Sequence, residues 1–446
     1  MPLATTSDRA ARVARLALLG LFPLYPLVPR YALAGPLGID DLIPVATAAA
    51  ALVALLLGLL ATSRANGASA PLAGRLGAGL LHDPALLGLT VFGAIATVSA
   101  LSHVESVGAG LVAMARVAGR LGLYGVLLLA TRHLLDDRGR RRLIAVLVAI
   151  AVVEGAFGLI AYVAKIQGPW NTGMIAYPPD LMPPSGRARV QGTFGGQLPA
   201  GELFLNRANF YSAYLAVSVA GLVALWGERR RPRLVAVGAA LVVGGILASL
   251  SRMSLVAALV GLGIATLAWR RRAAVVAAAL VVVTVVAVVG LVPPLRERFV
   301  GFHTDRVEQW QLAARVIAAH PLTGAGDGRY LAVAERLAEG IDVPVVRTPH
   351  NSVLYAMASY GIVAGLALVG LYLALIWSSV RLWRARPGPL AIAQLVLVGT
   401  FLVHDLTNNL FFVPEVALMF WALYGAARDS EPTHAAVGPD RLVRHS

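Results

Sequence analysis

One histidine and a set of arginines are the side chains in this sequence best suited to chemistry. His350 lies in the run Thr348, Pro349, His350, Asn351, where a long polar stretch meets an apolar one. A near-neutral pKa makes imidazole the usual proton acceptor for a hydroxyl nucleophile. The alternative is a helix-end histidine that bonds locally. The stretch leading to it, Pro294 to Gly361, carries Arg296, Arg298, Arg306, Arg315, Arg329, Arg336 and Arg347. Upstream, Arg187 and Arg189 lie between Gly186 and Phe194, Arg207 stands beside Asn206 and near Asn209, and Arg252 follows Ser251 between two apolar runs. A guanidinium at membrane depth is costly unless it is paired or faces water. Arg252 has no acid in its own turn, so it needs an anionic ligand or a distant carboxylate. Guanidinium forks bind phosphate oxygens through paired, charge-assisted hydrogen bonds. The competing roles are snorkelling of Arg252 to lipid phosphates and simple solvation of Arg187 and Arg189 in a loop.

These residues must be positioned by a membrane scaffold. Of 446 residues, 58% are hydrophobic and 14% charged, against about 25% charged in soluble domains. Repeated, continuous apolar runs of about 20 residues predict an all-α polytopic membrane protein. We read twelve spans, near 13–29, 42–62, 84–102, 107–131, 143–165, 206–226, 234–250, 254–269, 273–292, 352–378, 389–405 and 412–427. The first is interrupted by Pro23 and Pro26. The net charge is +15, and Lys165 is the one lysine. Arginine clusters at Arg9/Arg12/Arg15, Arg64/Arg75, Arg138/Arg140/Arg141/Arg142, Arg229/Arg230/Arg231/Arg233, Arg270/Arg271/Arg272, Arg381/Arg384/Arg386 and Arg428 fall at every second connection. The positive-inside rule then puts both termini in the cytoplasm. The first cluster precedes an apolar run and reads as a membrane anchor, with no cleavable signal evident. Two long connections face the other side: a Pro- and Gly-rich loop at 166–205, and 293–351, whose segment Asp305 to Ala319 carries Val307, Leu312 and Val316 among charges. That segment predicts an amphipathic helix on the membrane surface or capping the bundle. The chain so divides into 1–293 (spans one to nine), 294–351 (the large loop domain), 352–428 (spans ten to twelve) and a polar tail, 429–446.

Other chemistries fit less well. The absence of cysteine excludes disulfides, thiolate catalysis and zinc–thiolate sites. Asp305 and Glu308 are one helical turn apart, but Arg298 and Arg306 suggest ordinary ion pairs. Asp40 and Asp41 are adjacent and read as a cap; Asp136 and Asp137 are on the inner side. His303 and His320 lack obvious co-ligands. Gly324 to Gly328 is glycine-rich but lacks the Lys-Ser/Thr of a nucleotide loop, and reads as a tight turn. Glu154, Asp405 and Glu415 are the few carboxylates in or at the ends of spans. Nucleic-acid binding is discounted, because short inner loops account for the positive charge.

The spacing carries a resemblance. His350-Asn351, nine residues, then Gly361 resembles the signature of bacterial O-antigen ligases, departing at Ala364, where Gly, Thr or Tyr is usual. Arg189 to Phe194, Asn206 to Phe210 (after an insertion), the Ser251-Arg252 turn, and Arg306 and Trp310 followed by His320 to Gly326 are similar to motifs of the wider ligase/polymerase superfamily. The resemblance implies a fold like the multispanning lipid-linked glycosyltransferases, with a large periplasmic loop domain between spans nine and ten. It implies transfer of O-antigen from undecaprenyl diphosphate to a sugar hydroxyl of lipid A-core, at the periplasmic face of the bacterial inner membrane. The expected reaction inverts the anomeric centre and uses no nucleotide sugar, no cofactor and no metal. The expected partners are these two lipids and the surrounding membrane. The diphosphate leaves without a general acid, so the needs are stabilisation of its growing charge and a base for the hydroxyl. We assign His350 as base and Arg189 and Arg252 as catalytic arginines. Arg187, Arg207, Asn209, Arg306, Trp310 and Asn351 are expected to bind substrate. The nearest alternatives are an O-antigen polymerase or a protein O-oligosaccharyltransferase of the same superfamily. A flippase would call for internal repeats and buried ionisable pairs, and no such symmetry is evident.

Overall fold

A computed structural model of the chain describes residues 3–27, 30–34, 37–65, 83–104, 106–166, 173–175, 189–192, 196–197, 208–228, 231–269, 272–291, 296, 305–340 and 348–427. The apolar runs fold as helices whose ends are set by local signals. Helix α1 (Leu3–Leu16) passes into a π turn (Ala17–Leu21) and a 3-10 turn (Phe22–Leu27), where Pro23 and Pro26 break the ladder. Strands β1 (Arg30–Ala34) and β2 (Leu37–Gly38) lead into α2 (Ile39–Ala65). Asp83 caps α3 (Pro84–Leu101), accepting from the Ala85 amide at 3.0 Å. Ser106 caps α4 (Val107–His133), and Asp136 caps α5 (Asp137–Ala164). Then follow β3 (Gly173–Ile175), β4 (Arg189–Gly192), β5 (Gly196–Gln197), α6 (Ala208–Gly227), α7 (Pro232–Ala248), α8 (Arg252–Trp269) and α9 (Arg272–Leu291). After the long loop come α10 (Asp305–Ala319), α11 (Tyr330–Arg336), α12 (Ser352–Tyr360), α13 (Ile362–Ala385), α14 (Pro389–Asp405) and α15 (Pro414–Ala427).

Six described helices, α3, α4, α5, α6, α8 and α13, are long and apolar enough to cross a bilayer. Shorter apolar helices (α7, α14 and the 45–57 part of α2) accompany them. The chain is therefore a polytopic, helical membrane protein. Short strands occur in the connections: β2-β1-β5 form one small sheet, and β3 pairs antiparallel with β4. The tail 429–446 and most of the 166–205 connection lie outside the described residues.

The core is built around α6, α14 and α15. Every residue of α15 from Glu415 onward is buried, and Trp421 packs near Tyr124 of α4 while Phe420 meets Phe401 of α14 at 4.2 Å between ring centres. Helix α14 lies against α6, α8 and α13, and α13 against α3. Helix α10 caps the bundle, burying Leu312 and Val316 against α11 and α12. Val307, placed on the same apolar face from the sequence, is instead 53% exposed, because the buried stripe follows Leu312, Ala313 and Val316 and leaves Val307 outside it.

The two ends of the bundle differ in chemistry. At one, Arg15 donates to the Leu134 carbonyl, Arg132 pairs with Asp83 at 2.6 Å, Arg140 with Asp137, and Arg141 with Glu228 at 3.3 Å. At the other, Ser99, Asp327, Ser254, His404 and Asp405 make the polar contacts described below.

The run 352–378 reads as one span by hydropathy, but the structure divides it at Gly361. The loop from His320 to Gly326 wedges in at the break. Ile362 N–H donates to the Pro321 carbonyl at 2.8 Å, and the Ala325 and Gly326 amides donate to the Ala358 and Ser359 carbonyls at 2.8 and 3.0 Å. Gly361 has φ +92°, and a Cβ there would run into the Leu322 carbonyl. Only glycine tolerates both conditions. We expect Gly361→Ala to destabilise the protein by about 2–4 kcal/mol. It should lower the aggregation temperature of the detergent-solubilised protein; an unchanged temperature would show that the break is not needed.

Candidate functional site

Of the residues singled out from the sequence, His350, Asn351, Arg252, Asn209 and Arg306 are connected to the C-terminal end of α14, a segment that composition alone did not mark. His404 is fully buried. Its Nε2 lies 2.6 Å from Ser254 Oγ, and its Nδ1 lies 3.2 Å from Asn408 Nδ2. Ser254 Oγ donates to Ser212 Oγ at 2.7 Å and is 2.9 Å from Ser251 Oγ. An amide nitrogen can only donate, so Nδ1 of His404 accepts and Nε2 carries the proton. Ser254 then accepts from His404 and passes its own proton to Ser212. This network fastens the first turn of α8, which begins with Arg252, to the first turn of α6, which contains Asn209. The Arg306 charge, on the second residue of α10, also acts on His404. Arg252, Asn209, Arg306 and Trp310 are all half-buried, and the Trp310 indole N–H is buried with no hydrogen-bond acceptor among the described residues.

The next residue along, Asp405, secures the other half of the site. Its carboxylate accepts from Ser352 Oγ at 2.6 Å, Tyr372 OH at 2.7 Å and the Phe411 amide at 3.1 Å. Asn351 caps α12 by accepting from the Leu354 amide at 3.0 Å and donates to the Leu406 carbonyl at 3.1 Å. Thr348 Oγ1 donates to Asn409 Oδ1 at 3.3 Å. His350 is thus bracketed on both sides by bonds to residues 405–409. Its own backbone sits at φ +55°, a left-handed conformation that costs a non-glycine residue roughly 1–2 kcal/mol. The brackets hold that strain in place, and strained residues of this kind cluster at functional sites. The His350 side chain is half-buried, and its Nδ1 is buried with no hydrogen-bond partner among the described residues.

Arg189 opens β4, which packs on α5 and α6 with Val190 fully buried. Arg187 and Arg207 lie outside the described residues. Glu154 is buried in α5 beside Tyr211 and Tyr214 of α6, so it faces a polar seam between these helices. Beyond the network, burial pushes the Tyr330 phenol above its usual range, with Tyr355 adding to the rise.

Sequence reasoning missed His404, Asn408, Asn409, Ser212 and Ser254, and treated Asp405 only as a span-end carboxylate. For all but the two serines the signal was a run of five polar side chains, His404, Asp405, Thr407, Asn408 and Asn409, closing an otherwise apolar run. It also passed over Arg116 and Arg120, one turn apart inside α4. Arg116 lies 3.5 Å from Asp327, and the Arg120 charge acts among Tyr124, Tyr355, Tyr360 and Asp327. Ionisable side chains within a span are functional candidates by default, and that rule would have found both.

Among the described residues, no three His, Asp or Glu side chains converge as a metal site. Residues 237–369 match the family model of the O-antigen ligase. The match runs from within α7 to within α13 and takes in Arg252, Arg306, Trp310, His350, Asn351 and Gly361. Over this stretch the chain is similar to the O-antigen ligase/polymerase superfamily, as its motifs imply, and the match supports a glycosyltransferase-like enzyme carried by a multi-pass membrane protein. No curated protein matches the chain.

Proposed function

We propose that the chain is an O-antigen ligase. It transfers O-antigen from undecaprenyl diphosphate to a sugar hydroxyl of lipid A-core, at the periplasmic face of the bacterial inner membrane. The observation that carries this reading is the strained, bracketed His350, whose Nδ1 has no hydrogen-bond partner among the described residues, tied through residues 404–409 to the helix start that bears Arg252. The acceptor hydroxyl gives its proton to His350 as its oxygen attacks the anomeric carbon. The bond from that carbon to the diphosphate oxygen breaks, and the electron pair leaves with undecaprenyl diphosphate. Arg252 and Arg306 stabilise the growing negative charge, together with Arg189 and, by resemblance, Arg187 and Arg207. Asn209, Trp310 and Asn351 position the substrates. The opposite end of the bundle, with Arg15, Arg132, Arg140 and Arg141, fits the cytoplasmic side by the positive-inside rule. A twelve-span plan with both termini there is consistent with that orientation.

The test is transfer of labelled glycan from its polyprenyl diphosphate to lipid A-core by purified protein. We expect transfer at a rate unchanged by EDTA; a loss restored by Mg²⁺ or Mn²⁺ would argue for metal chemistry instead. Ala364, where the ligase signature has another residue, leaves a polymerase of the same superfamily as the second reading. Chain extension on lipid-linked glycan, with no product on lipid A-core, would select it.

A further inference from the structure

Helices α10 and α12 run side by side in the same direction. Their far ends are joined: Pro321, two residues past α10, accepts from the Ile362 amide at 2.8 Å, and Ile362 stands two residues past α12. Ser99 of α3 holds the same loop by donating to the Thr323 carbonyl at 2.6 Å. The facing sides bury Leu312, Ala313 and Val316 of α10 with Ala358 of α12, and Leu354 and Tyr355 pack against these. Gln309 stands twelve residues before Pro321, and His350 twelve before Ile362. The first turns of α10 are therefore level with the start of α12, where His350 sits. The Arg306 charge, acting on His404, places them beside the end of α14 as well.

Gln309 is out of keeping with its surroundings. It is 7% exposed and, at about 100° per residue, belongs to the buried stripe of Leu312, Ala313 and Val316. Packing alone would call for an apolar residue there. Its carboxamide oxygen is buried with no hydrogen-bond partner among the described residues, and so is the indole N–H of Trp310. Such unsatisfied groups lower stability and call for an explanation. One is an acceptor and the other a donor. Arg306 and Trp310 lie about 60° and 100° round from Gln309, on the same side of the helix, so the three share one face.

We propose that Gln309 and Trp310 bind the sugar that adjoins the diphosphate of the lipid-linked donor, Gln309 accepting from one of its hydroxyls and Trp310 donating to one of its oxygens. The inference rests on the reading above for which lipid is bound, and on the two buried groups for the chemistry. A sugar hydroxyl both donates and accepts, so a sugar ring satisfies both groups. An ionised phosphate has no proton for the Gln309 oxygen, and a hydrocarbon tail has no polar atom for either. The position along the glycan follows from Arg306. That residue, assigned to the diphosphate, is one turn from Gln309 and Trp310 on the same face, about 5.4 Å along the axis, a step comparable to one sugar ring. An inverting displacement also needs the acceptor oxygen and the diphosphate on opposite sides of the anomeric carbon. The donor sugar then lies between His350 and the arginines, and Gln309, level with the first and a turn from Arg306, is placed to meet it.

The test is equilibrium binding of the purified protein in nanodiscs to three lipids: undecaprenyl diphosphate bearing the first sugar of the host's O-antigen, bare undecaprenyl diphosphate, and lipid A-core. The native protein should hold the sugar-bearing diphosphate more tightly than the bare one. Gln309→Met keeps the length of the side chain and the helix but removes the acceptor. It should weaken the sugar-bearing lipid roughly three- to tenfold and shift the other two less than twofold. Its unfolding temperature without lipid should rise, because an unsatisfied polar group leaves an apolar stripe. A packing role for Gln309 predicts the opposite pair of results, a lower unfolding temperature and no selectivity between the lipids, and that pair would overturn the proposal. Trp310→Phe removes the indole donor and should act on binding in the same direction if Gln309→Met folds poorly. Unchanged binding in both variants would also overturn it. So would an equal loss for the two diphosphates, which would put these residues on the diphosphate itself, or a loss confined to lipid A-core, which would put them on the acceptor. A protein that discriminates between the two diphosphates through Gln309 but puts no glycan on lipid A-core would refute the ligase reading and leave the sugar site standing.

Discussion

His350→Ala lowers the rate of glycan transfer by about 10²–10⁴-fold, the usual contribution of a general base, and leaves the bundle intact. The effect is expected on kcat, because proton removal matters only as the new bond forms. The surroundings argue against an indirect effect. The bonds that fix this turn come from Thr348, Asn351 and Ser352 to Asn409, Leu406 and Asp405, and none of them uses the imidazole. The φ of +55° supplies a control. Alanine inherits the strain of histidine there, whereas glycine relieves roughly 1 kcal/mol of it. His350→Gly should therefore be the more stable of the two variants and just as inactive. Initial rates with labelled donor, alongside thermal unfolding of both proteins, decide the matter; transfer within tenfold of the native rate would remove His350 as the base.

The second large effect is expected from Arg252→Lys, with a loss of roughly 10- to 100-fold in kcat/KM. Charge is conserved, so the change isolates the fork. An ammonium meets a diphosphate as a point charge, while a guanidinium offers two parallel bonds to adjacent oxygens. The contact tightens as charge moves onto the leaving group, so kcat should fall more than the KM for donor rises. The place of Arg252 supports this. It is the first residue of α8, where the helix dipole disfavours a cation by roughly 0.3–1 kcal/mol. A residue chosen for helix stability would be acidic there. An anion bound in front of the helix start reverses the sign of that cost. Near-normal turnover in the lysine variant would return Arg252 to holding membrane phosphates.

Much of the scaffold was legible because a bilayer leaves few options. Helix limits such as 389–405 and Asp305–Ala319 follow from where apolar residues stop and where caps and prolines stand, and the glycine cluster at 324–328 reads correctly as a turn. What hydropathy could not see was the break at Gly361. Both halves of 352–378 are apolar, and the interruption is imposed by a loop 35 or more residues upstream that enters from the side. The site was half legible. His350 and Arg252 stand out by residue type, against apolar neighbours. His404 and Ser254 do not, because each is an ordinary polar residue at the end of a span. Their importance comes from a pairing 150 residues apart in sequence.

The short helix α12 has a consequence for how these chains can vary. It is nine residues long, from Ser352 to Tyr360, and it joins the histidine to the glycine break as a rigid strut of about 13 Å. One residue more or fewer would swing His350 through roughly 100° about the strut and aim it away from its partners at 405–409. The spacer therefore works as a gauge of length and azimuth: its side chains are free to drift within the demands of packing, while its residue count is fixed by the machinery at its two ends.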